Sequence, residues 1–357
     1  MKIFIDCRWY SQPGQGVVTY LAGLHAAAES LKRKFGIEFW YGIESLESIP
    51  AGILPKDAKT IVLGKKGLFW RLFVMPIFLS RHKFDAAHFQ YVCPLYRLNT
   101  AYVTTIHDVL FFQFPELFTI KYKIPRKILF YLSAKISNLI LTVSEQSAEA
   151  IKKYLHPAHD PSIIYNSFAN TINIPEEKQV PSTLLSPKDY LLTVGRIEPR
   201  KNYALLARAF EKAGLHARGA KLAIVGFCSP EFHAELDKLK KTPGVTVLDR
   251  VTDEQLSWLY HNARGFIYPS ICEGFGIPVL EALSAQVPCA VSNTFPISDI
   301  LNGVSLTFNP GDVDGMTKAL DALWSGKVPC SAVSLQKYTW EKSAQKYMEE
   351  LSMLSLR

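Results

Sequence analysis

Thirteen short apolar runs, separated by longer amphipathic stretches, constrain this chain more than any other feature. Seven fall at 2–6, 36–42, 59–63, 84–89, 101–106, 138–143 and 162–166. Six more fall at 190–194, 221–226, 245–248, 265–268, 288–292 and 305–308. Short apolar runs of this kind suit strands buried on both faces, which occur in parallel sheets. Parallel neighbours need crossovers, and the stretches 17–31, 145–154, 203–214, 230–241, 252–262 and 312–325 have helical patterning. The pattern predicts repeated βαβ units and an α/β fold. At 357 residues the chain is too long for one core, so two domains are expected. The βα rhythm breaks at 168–188, which is rich in Asn, Pro, Glu and Ser. We therefore place the first domain at 1–168, a linker at 169–188 and the second domain at 189–338. A last helix, about 339–357, carries Trp340, Ala344, Tyr347, Met348 and Leu351 at helical spacing and is expected to pack back on the first domain.

Composition serves to exclude. With 48% hydrophobic and 20% charged residues the chain reads as globular, and no apolar run reaches the ~20 residues that span a bilayer. The longest candidate, 67–80, is cut by Arg71 and Pro76. The opening residues, Met1 to Asp6, read as a buried strand rather than a signal peptide. Six scattered cysteines without a C-x-x-C pair suggest reduced thiols in a cytoplasmic protein, neither a disulfide frame nor a metal set. The net charge of +8 is uneven: residues 1–168 hold 20 Lys and Arg against 12 Asp and Glu, and the remainder is balanced. A basic half implies an anionic partner. Two stretches, 64–84 and 120–135, mix lysines and arginines with Phe69, Trp70, Phe73, Phe130 and Tyr131. Each reads either as a face for anionic lipid headgroups or as an ordinary helix with a core stripe and a solvated basic side. Nothing resembles a nucleic-acid recognition motif.

Chemistry concentrates in Ser270 to Leu283, S-I-C-E-G-F-G-I-P-V-L-E-A-L. Glu273 and Glu281 stand eight residues apart around Gly274, Gly276 and Pro278. Glycines allow close backbone approach and positive φ, and a helix opening at Gly276 offers unpaired N–H groups. The two carboxylates can then address two points of one extended ligand. A second cluster, Gly195-Arg196-Ile197-Glu198-Pro199-Arg200-Lys201-Asn202, sits between a strand and a helix. Three cations there suit a diphosphate, although a solvated charged loop is the common reading of such runs. His107 and Asp108 end an apolar strand, where open α/β sheets bind ligands. Asp108 would raise the basicity of the imidazole or fix its orientation; the alternative is a structural histidine. Pro13-Gly14-Gln15-Gly16 forms a strand–glycine–helix turn but lacks a full G-x-G-x-x-G, since position 19 is Thr19. Ser144 is expected to cap a helix. Asp312-Val313-Asp314 looks like a metal-binding D-x-D, yet it follows Pro310-Gly311, and Asp312 is expected to be a helix cap instead.

Several of these segments together resemble one family. E-G-F-G-I-P-V-L-E-A-L at 273–283 is similar to the E-x7-E motif of the retaining GT-B glycosyltransferases of family 4 (group 1), and G-R-I-E-P-R-K-N at 195–202 to their phosphate-binding loop. T-I-H-D at 105–108, F-P-E at 114–116, L-T-V-S-E at 141–145, I-Y-N at 164–166 and W-E-K-S-A at 340–344 match further landmarks in order. The resemblance covers nearly the whole chain and implies two Rossmann-like domains facing across a cleft, the GT-B fold. It implies that Arg196 and Lys201 hold the donor diphosphate and that Glu273 contacts the transferred sugar near the reaction centre. It further implies that the backbone of Gly274, Phe275 and Gly276 meets sugar and phosphate, and that Glu281 binds the ribose hydroxyls. His107 would touch the sugar, Gly16 would approach the phosphates, and the turn at Arg250 and Val251 would shape the base pocket. Val17-Val18-Thr19-Tyr20 departs from the family's G-x-G-R-Y pattern, which leaves no side-chain role just after Gly16.

The implied reaction moves a hexose, mannose in preference, from a nucleoside-diphosphate sugar to a lipid-linked saccharide acceptor in cell-surface polysaccharide synthesis. Neither a metal nor another cofactor is expected. The protein would be cytoplasmic, at the inner face of the plasma membrane, with its basic half against anionic lipid. A UDP-hexose donor, a 2-epimerase-like nucleotide-sugar isomerase and a non-catalytic sugar-nucleotide-binding subunit are the alternatives.

Overall fold

Every strand pair among the described residues is parallel, and the two sheets wind in the same way. The structure is a computed structural model that describes residues 1–11, 16–47, 49–50, 52–168, 185–294, 296, 305–330 and 334–354. It divides into two units, one of Met1–Ser167 with Lys337–Arg357 and one of Phe168–Gln336. Most of the predicted linker (residues 169–184) and Pro13, Gly14 and Gln15 of the glycine turn lie outside the described residues.

The first unit runs β1 (Lys2–Asp6), α1 (Gly16–Glu29), α2 (Lys32–Phe35), β2 (Glu38–Ile43), β3 (Lys59–Val62), a π-helical turn at Trp70–Val74, α3 (Met75–Arg81), β4 (Ala86–Gln90), β5 (Ala101–Thr105), α4 (Leu110–Gln113), α5 (Ile120–Ile136), β6 (Leu139–Thr142), α6 (Glu145–Leu155) and β7 (Ser162–Ile163). Its sheet order is β3-β2-β1-β4-β5-β6-β7. The chain winds outward from β1 to one edge, then returns to β4 beside β1. That reversal is a topological switch point, where the loops after neighbouring strands diverge and leave room for a ligand. Ile3 pairs with Phe39 on one side and Ala86 on the other, so β1 is an interior strand of the sheet. Its side chains Ile3, Phe4 and Ile5 are fully buried. Ser144 caps α6, accepting from the backbone N–H of Ser147 at 3.1 Å.

The second unit repeats the scheme: β8 (Tyr190–Val194), α7 (Tyr203–Lys212), β9 (Lys221–Val225), α8 (His233–Lys241), β10 (Val245–Leu248), α9 (Asp253–Asn262), β11 (Gly265–Tyr268), α10 (Ile277–Ser284), β12 (Cys289–Ser292), β13 (Ser305–Phe308) and α11 (Val313–Trp324). The order β10-β9-β8-β11-β12-β13 puts its switch point between β8 and β11. Leu191, Leu222 and Ile224 pack with Leu206, Phe210, Met316, Leu320 and Leu323 in one core. Each fully buried leucine contributes ~2 kcal/mol by removing its apolar surface from water. Thr252 and Gln255 form a capping box on α9, and Asp312 caps α11 through the N–H of Asp314.

The last helix, α12 (Trp340–Leu354), belongs to the first unit. It lies on α1, where a Cβ on Gly23 would come within 2.1 Å of the Trp340 ring. Ala344, Tyr347, Met348 and Leu351 are its buried face.

Candidate active site

The switch point of the second sheet brings the loop after β8 against the loop after β11. Two glycines, one after β8 and one after β9, let the first of these loops pass close to its neighbours. Gly195 has φ +151° and Gly226 φ +154°, and a Cβ on Gly226 would stand 2.1 Å from the Gly195 carbonyl oxygen. A Cβ on Gly195 would meet Lys201 Cε at 3.1 Å, so the bare glycine also leaves space for the lysine stem. Residues Pro199–Lys201 form a 3-10 turn, and Asn202 follows in the left-handed conformation at φ 61°. Its amide donates to the carbonyls of Pro269 at 3.2 Å and Pro310 at 2.7 Å. The Ile271 N–H donates to the Arg200 carbonyl at 2.8 Å. These bonds fix one loop to the other.

Glu273 is the centre of the resulting cluster. Lys201 Nζ donates to its Oε1 at 2.6 Å, and Arg200 Nη1 to its Oε2 at 2.7 Å. Tyr268, the last residue of β11, donates to Oε1 at 3.0 Å and accepts from Lys201 Nζ at 2.7 Å. Arg200 also pairs with Glu198 at 2.6 Å. Burial alone would push the Glu273 carboxyl up. Arg200, then Lys201 and the hydrogen bonds, outweigh burial and hold it down at about 2, so it stays ionised. Burial lowers the Lys201 ammonium from its ordinary value, against the pull of Glu273. Glu198, Arg200, Lys201 and Glu273 together carry no net charge.

Glu281 is built differently. Gly276 takes φ +96° and opens α10, as the glycine spacing predicts, with Pro278 in the first turn. Glu273 thus precedes the helix and Glu281 lies in its second turn. Gly274, Phe275 and Gly276 are buried between them. Tyr260 of α9 donates to Glu281 Oε2 at 2.7 Å. Burial, opposed by the Tyr260 hydrogen bond and reinforced by the negative charge of Asp253, pushes this carboxyl up to about 7. The two acids of one motif therefore differ by several units in acidity.

Not every expected residue joins this cluster. Arg196 donates to the Ser229 hydroxyl at 3.0 Å, toward the β9–α8 turn, rather than to Glu273. Arg250 stacks its guanidinium over Phe227 at 4.6 Å, and half-buried Val251 follows it. Gly16 is the exposed first residue of α1.

In the first unit, His107 follows β5 and is buried between Tyr20, at 4.9 Å ring to ring, and Tyr91, at 5.1 Å. The expectation that Asp108 governs it is corrected. Its Nε2 bonds Gln90 Oε1 at 2.9 Å, while Asp108 accepts from the Leu110 N–H. Burial lowers the imidazole to about 3, so it is less basic than usual and neutral. The chain of bonds continues. Gln90 Nε2 lies 3.2 Å from His88 Nε2, Thr105 Oγ1 lies 2.7 Å from that same nitrogen, and His88 Nδ1 lies 2.9 Å from the Tyr347 hydroxyl of α12. The donor pattern that satisfies each link has the Gln90 amide donating to His88 Nε2 and accepting from His107 Nε2–H. Nδ1 of His107 is then the bare acceptor. Replacing Gln90 with Leu is expected to release this tautomer at a cost of ~1–3 kcal/mol, because a buried N–H loses its acceptor. Ring nitrogen resonances of 15N-histidine-labelled protein check it: His107 shows one protonated and one bare nitrogen in the parent and an averaged pair in the variant.

Arg200, Tyr268, Tyr260 and Gln90 carry no sequence signal of their own. Arg200 was one of three loop cations, and only its side of the 3-10 turn distinguishes it. Tyr268 and Gln90 are last residues of strands beside a switch point, a position that could have singled them out.

Residues 175–340 match the family model for glycosyl transferases group 1. O-antigen chain mannosyltransferase B of Escherichia coli is 28% identical over 395 positions, covering 99% of this chain and 100% of that protein. O-antigen chain mannosyltransferase RfbU of Salmonella typhimurium is 30% identical over 233 positions, 64% of this chain and 61% of that protein. Among solved structures, WaaG, a glycosyltransferase involved in lipopolysaccharide biosynthesis, superposes with a TM-score of 0.67 at 17% identity over 98% of this chain and 95% of its own. Anabaena Alr3699/HepE in complex with UDP and glucose gives 0.73 at 16% identity, with 99% of both chains covered. At such identities the structures speak for the fold alone: two Rossmann-like domains, the GT-B fold. Residues 175–340 thus carry a group 1 glycosyltransferase domain, and the chain has the GT-B fold.

Proposed function

We propose that this enzyme transfers a hexose, mannose in preference to other sugars, from a nucleoside-diphosphate sugar to a lipid-linked saccharide acceptor, in the synthesis of a cell-surface polysaccharide. The observation that carries the reading is the grip of Arg200 and Lys201 on an ionised Glu273 at the switch point of the second sheet. Relatives named as mannosyltransferases support mannose, and hence GDP-mannose, over a UDP-hexose. The protein would work in the cytoplasm at the inner face of the plasma membrane.

In this reading the bond from the anomeric carbon to the donor phosphate breaks, and negative charge grows on the β-phosphate. Lys201, Arg196 and the N–H groups opening α10 stabilise it without a metal. Glu273, kept as a carboxylate, stabilises positive charge developing on the sugar. The acceptor hydroxyl attacks from the face the phosphate leaves, its proton passes to that phosphate, and configuration is retained. The backbone at Gly274 to Gly276 meets sugar and phosphate. Glu281 takes the ribose hydroxyls, and the Arg250–Val251 turn meets the base. His107 offers its neutral Nδ1 to a sugar hydroxyl, and Gly16 brings backbone to the phosphates.

A thermal-shift panel of GDP-, UDP- and ADP-sugars tests the donor. A donor present at about 100 times its Kd stabilises by ~2.7 kcal/mol. GDP-mannose is expected to give the largest rise in Tm. A rise with UDP-hexoses alone would replace mannose, and no rise with any donor would defeat the reading.

A further inference from the structure

The path of hydrogen bonds that starts at His107 ends on the last helix. His88 and Gln90 alternate with Phe89 along β4, so their side chains leave the same face of the sheet. Thr105 of β5 stands beside Gln90 in register. Tyr347 comes from α12, 259 residues along the chain from His88, and bonds it on that face. His88, Gln90, Thr105 and Tyr347 are all buried, so the path must satisfy its own donors and acceptors. His88 is the one hydrogen-bond partner of the Tyr347 hydroxyl among the described residues. The neighbouring His25 ring lies 5.8 Å from that of His88, but neither of its nitrogens has a partner among the described residues, so it takes no part.

These contacts tie His88, Gln90 and His107 to one choice. A neutral imidazole has one N–H and one bare nitrogen, and an amide turned over exchanges its donor and its acceptor. When the Gln90 amide donates to His88 Nε2, that nitrogen is bare and Nδ1–H donates to the Tyr347 oxygen. The Gln90 carbonyl then accepts from His107 Nε2–H, and His107 Nδ1 is bare. In the reversed pattern His88 is protonated on Nε2, the Gln90 amide is turned over, and His107 is protonated on Nδ1. A mixture of the two sets two donors or two acceptors face to face. The first pattern makes His107 an acceptor toward a ligand, and the second makes it a donor.

We infer that Tyr347 is a positioning residue: by accepting from His88 Nδ1–H it holds the first pattern, and through Gln90 it fixes which nitrogen of His107 is bare. Without the Tyr347 oxygen, Nδ1–H would face carbon. A buried N–H without an acceptor is harder to tolerate than a bare acceptor, and Thr105 Oγ1, at 2.7 Å, can accept from Nε2. The His88 proton then moves to Nε2, Gln90 turns over, and the His107 proton moves to Nδ1. The consequence for catalysis rests on the proposed transfer reading, in which His107 meets a sugar hydroxyl. A bare Nδ1 draws the hydroxyl proton toward itself and leaves the sugar oxygen richer in electrons, which favours positive charge developing on the sugar. Nδ1–H would do the reverse.

Ring nitrogen resonances of 15N-histidine-labelled Tyr347→Phe, recorded without donor or acceptor, test the relay. Phenylalanine keeps the ring that stacks on Phe39, so the parental Tm is expected to persist. The His107 signals are expected to invert, with Nε2 protonated in the parent and Nδ1 in the variant. Thr105→Val is the control. It removes a bond to the same imidazole but leaves Nδ1–H on Tyr347, and His107 should keep the parental pattern. In a Gln90→Leu background the relay is already cut, and adding Tyr347→Phe should leave His107 as Gln90→Leu alone has it. In turnover, Tyr347→Phe is expected to lower kcat about tenfold with KM within about twofold, because the change acts on charge that develops only in the transition state. His107 signals that ignore Tyr347→Phe, that change equally once Gln90 is gone, or that show Nδ1 protonated in the parent would overturn the inference. Inverted signals with an unchanged kcat would uphold the relay and remove His107 from the proposed contact with the sugar, so the two readings fail separately.

Discussion

Replacing Lys201 with methionine lowers kcat/KM for the donor by roughly 30- to 1,000-fold, which corresponds to ~2–4 kcal/mol of lost transition-state stabilisation. Methionine keeps most of the buried stem beside Gly195, so packing is largely retained. Glu273 remains paired with Arg200 at 2.7 Å and hydrogen-bonded to Tyr268, and the fold is expected to survive. Arg200→Met removes the larger influence on the Glu273 carboxyl and leaves Lys201 in place. It is expected to cost less in kcat and more in the acidity of Glu273, since the remaining cation works alone against burial. Steady-state kinetics with the donor, read beside thermal melting, separates the two. A Lys201→Met enzyme of parental kcat/KM would remove the lysine from the chemistry.

Much of this was legible in the chain because burial on both faces of a parallel sheet leaves a local trace. The apolar runs at 101–106 and 221–226 became β5 and β9 within a residue at either end. Caps at Ser144 and Asp312 were also readable, because a cap bonds its own next turn. What the chain does not show is which side chains meet across the fold. The spacing of Arg196 and Lys201 suggests two equivalent phosphate ligands. The 3-10 turn at Pro199–Lys201 and left-handed Asn202 instead aim Arg200 and Lys201 at Glu273 and leave Arg196 with Ser229. Gln90 is 17 residues from His107, and Tyr347 is 259 from His88. Those partners follow from sheet order and from the return of α12, not from any local pattern. The stretch 64–84 resisted for another reason. Leu72, Met75 and Leu79 are buried while Phe69, Phe73 and Ile77 are exposed, so its core stripe and its surface face are both real.

Donor affinity is expected to depend on pH through Glu281. Its carboxyl sits at about 7 against an ordinary 4.5, chiefly through burial. Between these values the folded protein holds a proton that the unfolded chain has lost. Folding stability therefore falls as pH rises through this window, by no more than about 3 kcal/mol, and the loss is complete above about pH 7. Donor binding runs the opposite way. Ribose hydroxyls donate to a carboxylate, whereas the protonated acid must give up an acceptor site or place a donor against them. The donor Kd is thus expected to rise about tenfold per pH unit below about 7 and to level off above it. Glu281→Gln should flatten that profile and weaken binding at pH 8 by roughly 10- to 100-fold, as loss of a charge-assisted hydrogen bond of ~1.5–3 kcal/mol requires. Tyr260→Phe removes the one hydrogen bond that opposes burial, so the bend should move to higher pH. Titration calorimetry across pH 5.5–8.5 at constant ionic strength reads all three. A parental profile without a bend, or one that Glu281→Gln leaves in place, would detach Glu281 from the donor; a bend that shifts with Tyr260→Phe and vanishes with Glu281→Gln would tie the second acid of the motif to the nucleotide, while Glu273, held at about 2, contributes no bend in that range.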